Sequence, residues 1–462
     1  MPPSLGWSGR RRGVIVHGRD AVVEALAHAF LGAEWTPDGL RAAAADSLGA
    51  RRRWIGPLVT RVLVAFPHPP LDAPRELAQV VAGLLPERAQ PVVAHLAPVA
   101  ARALPSSSPV PAIDGRDDLA RLLGLSPGQL DGFADLGQWH RRPPAGAPRP
   151  GAVQNYDHVW RPRPGRTPRL LEIPRSRLRA VQRSVLDEIV GLAPVHAAAH
   201  GFVPGRSAIT GAAVHAGSAM LVTLDLQRFF AQVSAARVFR LLRGEGLPEA
   251  VAYALTGLCT HAVPVAVIHA MPAGGDPEER AALRRSLALA HLPQGAPTSP
   301  ALANLALRRL DARLTGYAEA AGARYTRYAD DLAFSGGPRF ARRAEAFARG
   351  AARIVEDAGY AVNPRKTRLR PASTRQSVTG IVVNARPSVR RADVDRLHAI
   401  LHNCVVHGPE GQNRAGVPDL RAHLLGRIAW VSAVHPDRGA RLRTLFERVR
   451  WPESLDGARA QP

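Results

Sequence analysis

An Asp-Asp pair between two β-prone segments constrains this 462-residue chain more than any other feature of its sequence. Asp330 and Asp331 stand between the short segments RYTR and LAFS, a pattern that predicts a β-hairpin with the acids at its turn. A third acid, Asp225, ends the run MLVTL at 220–224, whose β-branched and apolar residues are typical of a strand. We therefore predict that the three carboxylates meet at one edge of a sheet.

Three converging carboxylates suit metal-assisted phosphoryl chemistry. An Asp-Asp pair alone is typical of a solvated turn. With Asp225 added, the set matches nucleotidyl transfer by two metals, in which one ion activates the attacking hydroxyl and the other neutralises the leaving pyrophosphate. Mg²⁺ prefers a few carboxylates together with substrate phosphates. We predict two Mg²⁺ ions at Asp225, Asp330 and Asp331, with Asp331 in a supporting role.

Seven short segments surround these acids in a fixed order between residues 171 and 384. They are LEIPRSRLRAVQRSVL, HGFVPGRS, LVTLDLQRFF, LPQGAPTSPALANL, YADDLAFSG, NPRKT and VTGIVVN. This ordered series resembles the polymerase motifs of reverse transcriptases. The VTG triplet, the LPQGAPTSP segment and the C-terminal LLGRIAWVSAVHPDRGARLRTLFERV (424–449) resemble those of bacterial retron enzymes in particular.

The resemblance and the alternating strand and helix patterns predict an α+β fold. We expect a right-hand polymerase with fingers, a palm built on a split βαβ sheet, and a helical thumb. The predicted domains are a mainly helical N-terminal extension at 1–150, fingers and palm at 151–388, and thumb with C-terminal tail at 389–462. The predicted palm elements are strands at 219–225, around 360–363 and at 377–384, a hairpin at 324–335, and helices near 235–243, 248–259, 299–321 and 339–358.

The N-terminal extension contains helical-period runs but no recognisable chemistry. Apolar residues recur at helical spacing in 21–35 and 75–104. The Pro-rich segments 104–112 and 141–152 are typical of linkers. Farther along the chain, residues 261–291 insert a loop before LPQG, and an Asn-Ala-x-x-His element of retron enzymes is missing. These two departures from the family pattern concern RNA specificity rather than catalysis.

The formal net charge of +23 predicts a polyanionic partner, and nucleic acid is the first choice because basic residues follow the motif region. We find no run of 18 apolar residues and no apolar signal-peptide core in MPPSLGWSGRRRG, so we expect a cytoplasmic protein without a membrane partner. Two cysteines, Cys259 and Cys404, are too few for a disulfide framework.

Lysine occurs once in this chain, whereas the other sixty of its 61 basic residues are arginine. The single lysine is Lys366, in NPRKT. An ammonium group gives up a proton far more readily than a guanidinium group, whose pKa lies above about 12. The resemblance assigns the matching lysine to protonation of the departing pyrophosphate, so we predict that Lys366 is catalytic.

Several residues are expected to contact the incoming nucleotide. By resemblance, Phe230 is the aromatic residue that excludes a ribose 2′-hydroxyl and so selects dNTPs, while its neighbour Phe229 is expected to point the other way. The resemblance also places Gln294 against the nucleotide, and Gly295 permits close approach of the backbone. The following helix is predicted to be capped by Ser299.

Arginines are expected to contact phosphates. The resemblance places Arg163 and Arg169 in the fingers near the nucleotide phosphates, although RPRPGRTPRLLEIP lacks the usual Lys and Gly pattern of the family. Arg206, presented by the glycines of HGFVPGRS, is predicted to contact the triphosphate or the template. Arg427 and Arg441 are predicted to hold RNA phosphates from the thumb without reading sequence.

A last set of residues is expected to contact the cognate RNA. Val378, Thr379 and Gly380 resemble the triplet through which retron enzymes contact their structured RNA. A strand edge with a small residue and a hydroxyl can meet the 2′-hydroxyls in the shallow minor groove of RNA. The alternative interpretation is an ordinary β-strand, which VTGIVV also favours.

Together, these patterns imply a retron-type reverse transcriptase. Such an enzyme uses dNTPs to copy a structured noncoding RNA into branched single-stranded DNA, starting from an RNA 2′-hydroxyl. Family context adds anti-phage defence together with a separately encoded effector protein. Two alternatives are a reverse transcriptase of another bacterial defence or unclassified group, and a non-catalytic RNA-binding scaffold. The three acids and Lys366 argue against the scaffold.

Overall fold

A computed structural model describes residues 18–70, 74–86, 93–94, 109–111, 113–135, 155–414 and 416–451. The chain divides into two units, one of Met1–Val153 with Val238–Leu258 and the other of Gln154–Arg237 with Cys259–Pro462. The proposed domain boundaries at 150 and 388 remain predictions. The predicted linker 141–152 and most of 104–112 lie outside the described residues.

The first unit contains helices with a shared apolar core. Its N-terminal helices, within the described residues, are α1 (Arg19–Leu31), α2 (Pro37–Ser47), α3 (Ile55–Ala65), α4 (Pro74–Leu84), α5 (Arg116–Leu122) and α6 (Pro127–Ala134). Leu26 and Phe30 of α1 are fully buried in one cluster with Leu40 and Val59. Thr36 caps α2 by accepting a hydrogen bond from the Gly39 amide, which fixes where this helix begins.

The second unit begins with an antiparallel hairpin at the position predicted for the fingers. Its strands are β1 (Tyr156–Arg163) and β2 (Arg166–Pro174), and the helices that follow are α7 (Ser176–Glu188) and α8 (Ala208–Ala213). The two strands pair from Tyr156 opposite Pro174 to Arg163 opposite Arg166, with an irregularity between Arg161 and Arg163. The hairpin is therefore long enough to carry Arg163 and Arg169 on paired strands.

The palm sheet has four strands in the order β4-β5-β3-β6, all antiparallel to their neighbours. The strands are β3 (Met220–Asp225), β4 (Ala323–Tyr328), β5 (Asp331–Gly336) and β6 (Arg368–Pro371). The helices in this part of the sequence are α9 (Ala235–Gly244), α10 (Glu249–Cys259), α11 (Val265–His269), α12 (Pro277–Ala288), α13 (Ser299–Ala320), α14 (Pro338–Ala341) and α15 (Ala344–Asp357). Most of α9 and α10 belongs to the first unit, which includes Val238–Leu258. The predicted split βαβ arrangement is confirmed, because β5 lies between β4 and β3.

Aromatic side chains form much of the packing between the palm sheet and its helices. Phe347 of α15 stacks on Tyr317 of α13 and lies edge-on to Phe334 of β5. Phe334 also stacks on Tyr325 of β4. These contacts fix the sheet on the two helices, so the strand ends that carry the acids have a rigid support.

Three helices follow the palm, as predicted for the thumb. They are α16 (Arg391–His407), α17 (Leu420–Val434) and α18 (Pro436–Glu447). Leu397, Leu401, Ile428 and Leu442 are buried in a cluster shared by all three. In the part of the chain that the structure describes, no helix combines the length and apolarity needed to cross a membrane.

Two strand predictions were wrong. The strand expected around 360–363 makes only an isolated bridge between Val362 and Leu226, and the strand that pairs with β3 is instead β6. The strand expected at 377–384 is a small hairpin of β7 (Ser377–Val378) and β8 (Ile381–Val382). Thr379 and Gly380 both have positive φ, the conformation of a tight two-residue hairpin turn.

Candidate active site

The three predicted acids lie together at one end of the palm sheet. Asp225, the last residue of β3, stands directly opposite Asp331, the first residue of β5. The Leu226 amide donates a 2.9 Å hydrogen bond to the Asp330 carbonyl, which ties the end of β3 to the β4–β5 turn. The sheet therefore brings together acids that lie far apart in the sequence.

The turn that carries Asp330 is tight and strained. Tyr328 pairs with Asp331, so Ala329 and Asp330 alone connect β4 to β5. Ala329 has a φ of 54°, a left-handed conformation that costs a non-glycine residue about 1–2 kcal/mol. Gly201 packs against this turn so closely that a Cβ atom on it would lie 2.7 Å from the Ala329 nitrogen. The turn keeps this conformation because the Gly201 backbone and the end of β3 pack against it.

A buried arginine lies beneath the turn. Arg327 is 1% exposed, and its Nε and Nη2 donate hydrogen bonds of 2.8 and 2.7 Å to the two carboxylate oxygens of Asp311 on α13. The Tyr325 hydroxyl donates to the same carboxylate at 2.8 Å. Arg327 Nη1 donates to Asn304 Oδ1 at 2.9 Å and to the Ala329 carbonyl at 3.2 Å. This network connects α13 directly to the strained residue.

Arg327 keeps its positive charge despite burial. Burial opposes the positive charge of Arg327, but the hydrogen bonds and charge of Asp311 outweigh it and raise the pKa of the guanidinium. Asn304 extends the network, because its Nδ2 donates to the Gly201 carbonyl at 2.9 Å. The Asn304 side chain thus connects the HGFVPGRS loop with Arg327, which bonds the turn at Ala329.

Lys366 lies beside Asp225, in a 3₁₀ turn of residues Pro364–Lys366. Its Nζ donates a 2.6 Å hydrogen bond to Asp225 Oδ2, and half of its side chain is exposed. The Asn363 amide donates to the Asp225 carbonyl at 2.7 Å, and the Asn363 side chain accepts from the Arg365 amide. The predicted proton donor therefore reaches the acid cluster from a turn anchored to the end of β3.

The acids repel one another, as expected of a site that needs cations. Burial, followed by the Asp225 charge, raises the pKa of Asp330. Burial, followed by the Asp330 and Asp225 charges, raises the pKa of Asp331 to about 6. Within the described ranges, no group of three or more His, Cys, Asp or Glu side chains is arranged so that it could hold a metal ion without other ligands. Carboxylates that need further oxygen ligands fit Mg²⁺, which takes part of its coordination from substrate phosphates and water.

Two of the three arginines predicted to bind the nucleotide, Arg163 and Arg169, lie within electrostatic range of the acids. Burial, and then the charges of Arg169 and Arg166, lower the pKa of Arg163, whereas Asp225 acts in the opposite direction. The charge of Arg169 likewise acts on Asp330, against the burial that raises the pKa of that acid. The fingers hairpin therefore faces the carboxylates with cationic side chains.

Arg206 is held differently from the two fingers arginines. Its Nη1 donates hydrogen bonds of 2.9, 3.0 and 2.7 Å to the carbonyls of His196, Ala197 and Ala199. These bonds stabilise the loop before α8, and the phosphate contact of Arg206 stays a prediction.

The Gln294-Gly295 loop is joined to the fingers hairpin. The Glu172 amide donates to the Gln294 carbonyl at 3.0 Å, and Gly295 has a φ of 142°, with its Cα backed against the Glu172 carbonyl. The buried Glu172 carboxylate bonds His291 Nε2 at 3.1 Å. Burial opposes charging of His291, but its bond to Glu172 outweighs this effect and raises the pKa of the imidazole. Ser299 was predicted to cap α13, but it lies inside the helix and its hydroxyl donates to the Pro293 carbonyl.

The two phenylalanines after Asp225 differ in exposure. Phe229 is buried, whereas Phe230 is partly exposed at the start of a 3₁₀ turn that ends at Gln232. Their rings lie 5.0 Å apart at an angle of 56°. This arrangement leaves Phe230 available to line the site, while Phe229 packs in the core.

The residues predicted to contact RNA also differ in how exposed they are. The Val378 side chain lies in an apolar cluster with Leu221 and Ile381, so it is not available to RNA. Gly380 is exposed at the hairpin turn. On the thumb, Arg441 is exposed, whereas Arg427 Nη2 donates to the Asp393 carbonyl at 3.3 Å.

The 261–291 insertion contacts the fingers hairpin and the lysine turn. The Trp160 indole donates to the Val267 carbonyl at 2.9 Å, and the Thr167 hydroxyl donates to Glu279 at 2.9 Å. Arg365, next to Lys366, forms a 3.1 Å ion pair with Asp276, which also caps α12. The insertion therefore supports both the fingers hairpin and the turn that carries Lys366.

Sequence reasoning missed the residues that hold the site. Arg327, Asp311 and Asn304 were not predicted, and neither was the Glu172–His291 pair. Arg327 follows Ala323 and Tyr325 at two-residue spacing in β4, so its position on the same face as these buried residues was the available signal. The remaining partners come from distant segments, and their pairing is visible only in the folded chain.

The chain is similar to known proteins over much of its length. Residues 162–383 match the family described as reverse transcriptase (RNA-dependent DNA polymerase). The Retron Mx65 reverse transcriptase of Myxococcus xanthus is 39% identical over 334 residues, which cover 71% of this chain and 70% of that protein. The Retron Mx162 reverse transcriptase of the same organism is 36% identical over 368 residues, covering 76% and 69%. A solved foamy viral protease-reverse transcriptase in complex with double-stranded DNA is 15% identical, covering 66% of this chain and 42% of that chain, with a TM-score of 0.34.

Proposed function

Because the chain belongs to the retron reverse transcriptases, and is thus an RNA-directed DNA polymerase, we propose that it copies a structured noncoding RNA into branched single-stranded DNA by two-metal nucleotidyl transfer. The observation that carries the chemical part is the register of the palm sheet, which sets Asp225 opposite Asp331 and beside the Asp330 turn. The copied RNA, the branch and the product follow from family membership.

Reverse transcriptases use divalent metal ions, and in our proposal Asp225 and Asp330 hold two Mg²⁺ ions with support from Asp331. Such ions lower the pKa of the attacking hydroxyl and neutralise charge on the leaving pyrophosphate. A new bond forms between the hydroxyl oxygen and the α-phosphorus of the dNTP, and the bond from that phosphorus to the bridging oxygen breaks. Lys366 Nζ, already beside Asp225, gives a proton to the departing pyrophosphate.

The remaining site residues position the substrate in this proposal. Arg163 and Arg169 face the acids from the fingers and attract the triphosphate. The exposed Gly295 backbone, braced by Glu172, lets the nucleotide approach closely, and Gln294 contacts it. Phe230 excludes a ribose 2′-hydroxyl and so favours dNTPs.

Substitution of two acids tests the metal assignment. Asp330→Asn/Asp331→Asn is expected to abolish Mg²⁺-dependent extension of a primed RNA while leaving RNA affinity within about twofold, because the phosphate-binding arginines remain. Asp357→Asn is the matched control, since its carboxylate lies on α15 in an exposed pair with Arg313. Full extension by the double variant would refute the assignment.

Salt dependence tests RNA binding by the thumb. Each neutralised phosphate contributes about −0.7 to −0.9 to the slope of log K against log salt. Arg441→Ala is expected to reduce that slope by about one phosphate, because its side chain is exposed. Arg427→Ala should reduce it less, since that guanidinium also bonds Asp393. A salt-insensitive complex would contradict phosphate binding.

The product tests the retron assignment itself. Nucleic acid that copurifies with the full chain is expected to contain a defined RNA joined through a 2′-oxygen to single-stranded DNA. Sequencing before and after debranching measures that linkage, and unlinked random RNA would count against it. Family context further supports a cytoplasmic role in anti-phage defence with a separately encoded effector, which phage plating with and without the neighbouring genes would measure.

A further inference from the structure

An exposed aromatic residue beside the catalytic turn has no part in the chemistry above. Phe202, in the HGFVPGRS loop, is 49% exposed and has a φ of 60°. A left-handed backbone is unfavourable for a bulky residue, and an exposed aromatic ring is unfavourable in water. Strained and exposed residues that persist together are typical of ligand-contact sites.

The backbone around Phe202 is fixed to the catalytic turn at two points. The His200 amide donates a 2.7 Å hydrogen bond to the Arg327 carbonyl, and the Gly201 carbonyl accepts one of 2.9 Å from Asn304. Gly201 also packs directly on the Ala329 nitrogen. The ring of Phe202 is therefore held at a set position relative to the acids.

The ring lies next to Tyr328, the residue before the turn. The two ring centroids are 6.2 Å apart, with an angle of 37° between the planes. Tyr328 is itself partly exposed. Together they present an aromatic surface at the β4 side of the sheet edge, adjoining the carboxylates. We call these two side chains the aromatic platform.

The order of strands shows which part of the substrate reaches this platform. Across the sheet edge, Lys366 lies on the β6 side of Asp225, while Tyr328 and Phe202 lie on the β4 side of Asp330. The attacking and leaving oxygens of a phosphoryl transfer lie roughly in line. If Lys366 meets the leaving pyrophosphate, the opposite side holds the strand that supplies the attacking hydroxyl.

We propose that Phe202, beside Tyr328, is a stacking site for the terminal nucleotide of the primer strand. This proposal rests on the proposed function, since it uses the direction set by Lys366. Aromatic side chains stack on any base because every base has a π-face, so the contact suits an enzyme that must extend every sequence. The platform holds the terminal nucleotide while its hydroxyl meets the acids.

A fluorescent primer tests the contact without requiring catalysis. A DNA primer with 2-aminopurine at its 3′ end is annealed to RNA and titrated with the full chain in the absence of dNTPs. The wild-type protein is expected to quench the fluorophore by stacking. Phe202→Ala should reduce the quenching and weaken primer-terminus binding by about 5- to 150-fold, the range that base stacking provides. Phe202→Trp should restore both.

Two further variants separate stacking from folding. Phe202→Gly removes the ring and also suits the positive φ, so it is expected to fold at least as well as the wild type yet lose the quenching. Leu192→Ala is the control, because that side chain has a similar exposure of 43% in the same unit. It should leave quenching unchanged.

Extension kinetics distinguish the possible failures. For Phe202→Ala we expect the KM of the primed RNA to rise while the KM of the dNTP stays constant, and an abasic primer terminus should remove the difference from the wild type. Unchanged quenching in both Phe202→Ala and Phe202→Gly would overturn the platform. If the wild type quenches the probe but extends no primer, the proposed function fails and the stacking site remains.

Discussion

The buried network under the catalytic turn makes a prediction that separates stability from activity. In Asp311→Ala, the Arg327 guanidinium loses both carboxylate bonds and stays buried, and the Tyr325 hydroxyl loses its acceptor. Removing one partner of a buried ion pair costs about 3–5 kcal/mol. Since 1 kcal/mol shifts Tm by about 2–4 °C in a domain of this size, the expected loss is roughly 6–20 °C.

A triple variant removes the whole charged group instead of one partner. Arg327→Met/Asp311→Leu/Tyr325→Phe replaces the buried ion pair and the tyrosine hydroxyl with apolar side chains, a change that is often neutral or stabilising. The Asn304 Oδ1 and Ala329 carbonyl acceptors lose the Arg327 donor in this variant. We expect its Tm to recover most of the loss seen in Asp311→Ala. Its activity should fall below that of the wild type even so, because the Ala329 carbonyl no longer receives the Arg327 hydrogen bond that holds the strained turn.

Thermal unfolding and single-turnover extension of a primed RNA are measured on the same preparations. The Mg²⁺ concentration at half-maximal rate is also measured, since a displaced turn should raise it whereas a purely structural defect should not. Thr315→Ala on the same helix, α13, serves as the control variant and should keep wild-type rates. A triple variant with wild-type rate and wild-type Mg²⁺ dependence would refute the role of Arg327 in holding the turn.

Three further predictions follow from the site. Lys366→Arg keeps a cation near Asp225 but not an effective acid, so single-turnover nucleotide addition should slow by about 10²- to 10⁴-fold; an unchanged rate would exclude proton donation. Arg163→Ala should raise the KM of the dNTP without changing RNA affinity, whereas the exposed Arg179→Ala on α7 should change neither. Although burial opposes it, Glu172 raises the pKa of His291. The stabilisation that this charged pair provides is fully present below about pH 6.5, the pKa of His291 in the unfolded chain. It is lost as the pH rises through the higher pKa of His291 in the folded chain. The Tm difference between wild type and Glu172→Gln should therefore shrink between pH 6 and 9, and a constant difference would contradict the charged pair.

The end of the palm sheet that carries the acids is predictable from sequence because β3 and β5 are central strands with apolar residues. The run before Asp225 and the segments around Asp330 show the β pattern directly, and both fold as predicted. Strand β6 was missed because it is an edge strand whose residues are largely exposed, so RLRP shows no apolar period. The segment at 360–363 looks more strand-like but makes only one bridge.

Two other features required the folded structure. The turn at Thr379 has positive φ at a β-branched residue, which local sequence rules disfavour, and so VTGIVV was interpreted as one strand. Arg327 was missed for a related reason, since arginine is rarely buried unless it is paired. Its partner Asp311 belongs to α13, and only the packing of that helix on β4 brings the two charges together.

The 261–291 insertion departs from the family pattern, and its contacts join two separate parts of the site. Trp160 and Thr167 connect it to the fingers hairpin, while Asp276 pairs with Arg365 immediately before Lys366. The hairpin that carries Arg163 and Arg169 and the turn that carries Lys366 therefore share one support. Exposed ion pairs are individually weak, so the apolar contacts around Trp160 must supply most of the stiffness of this support.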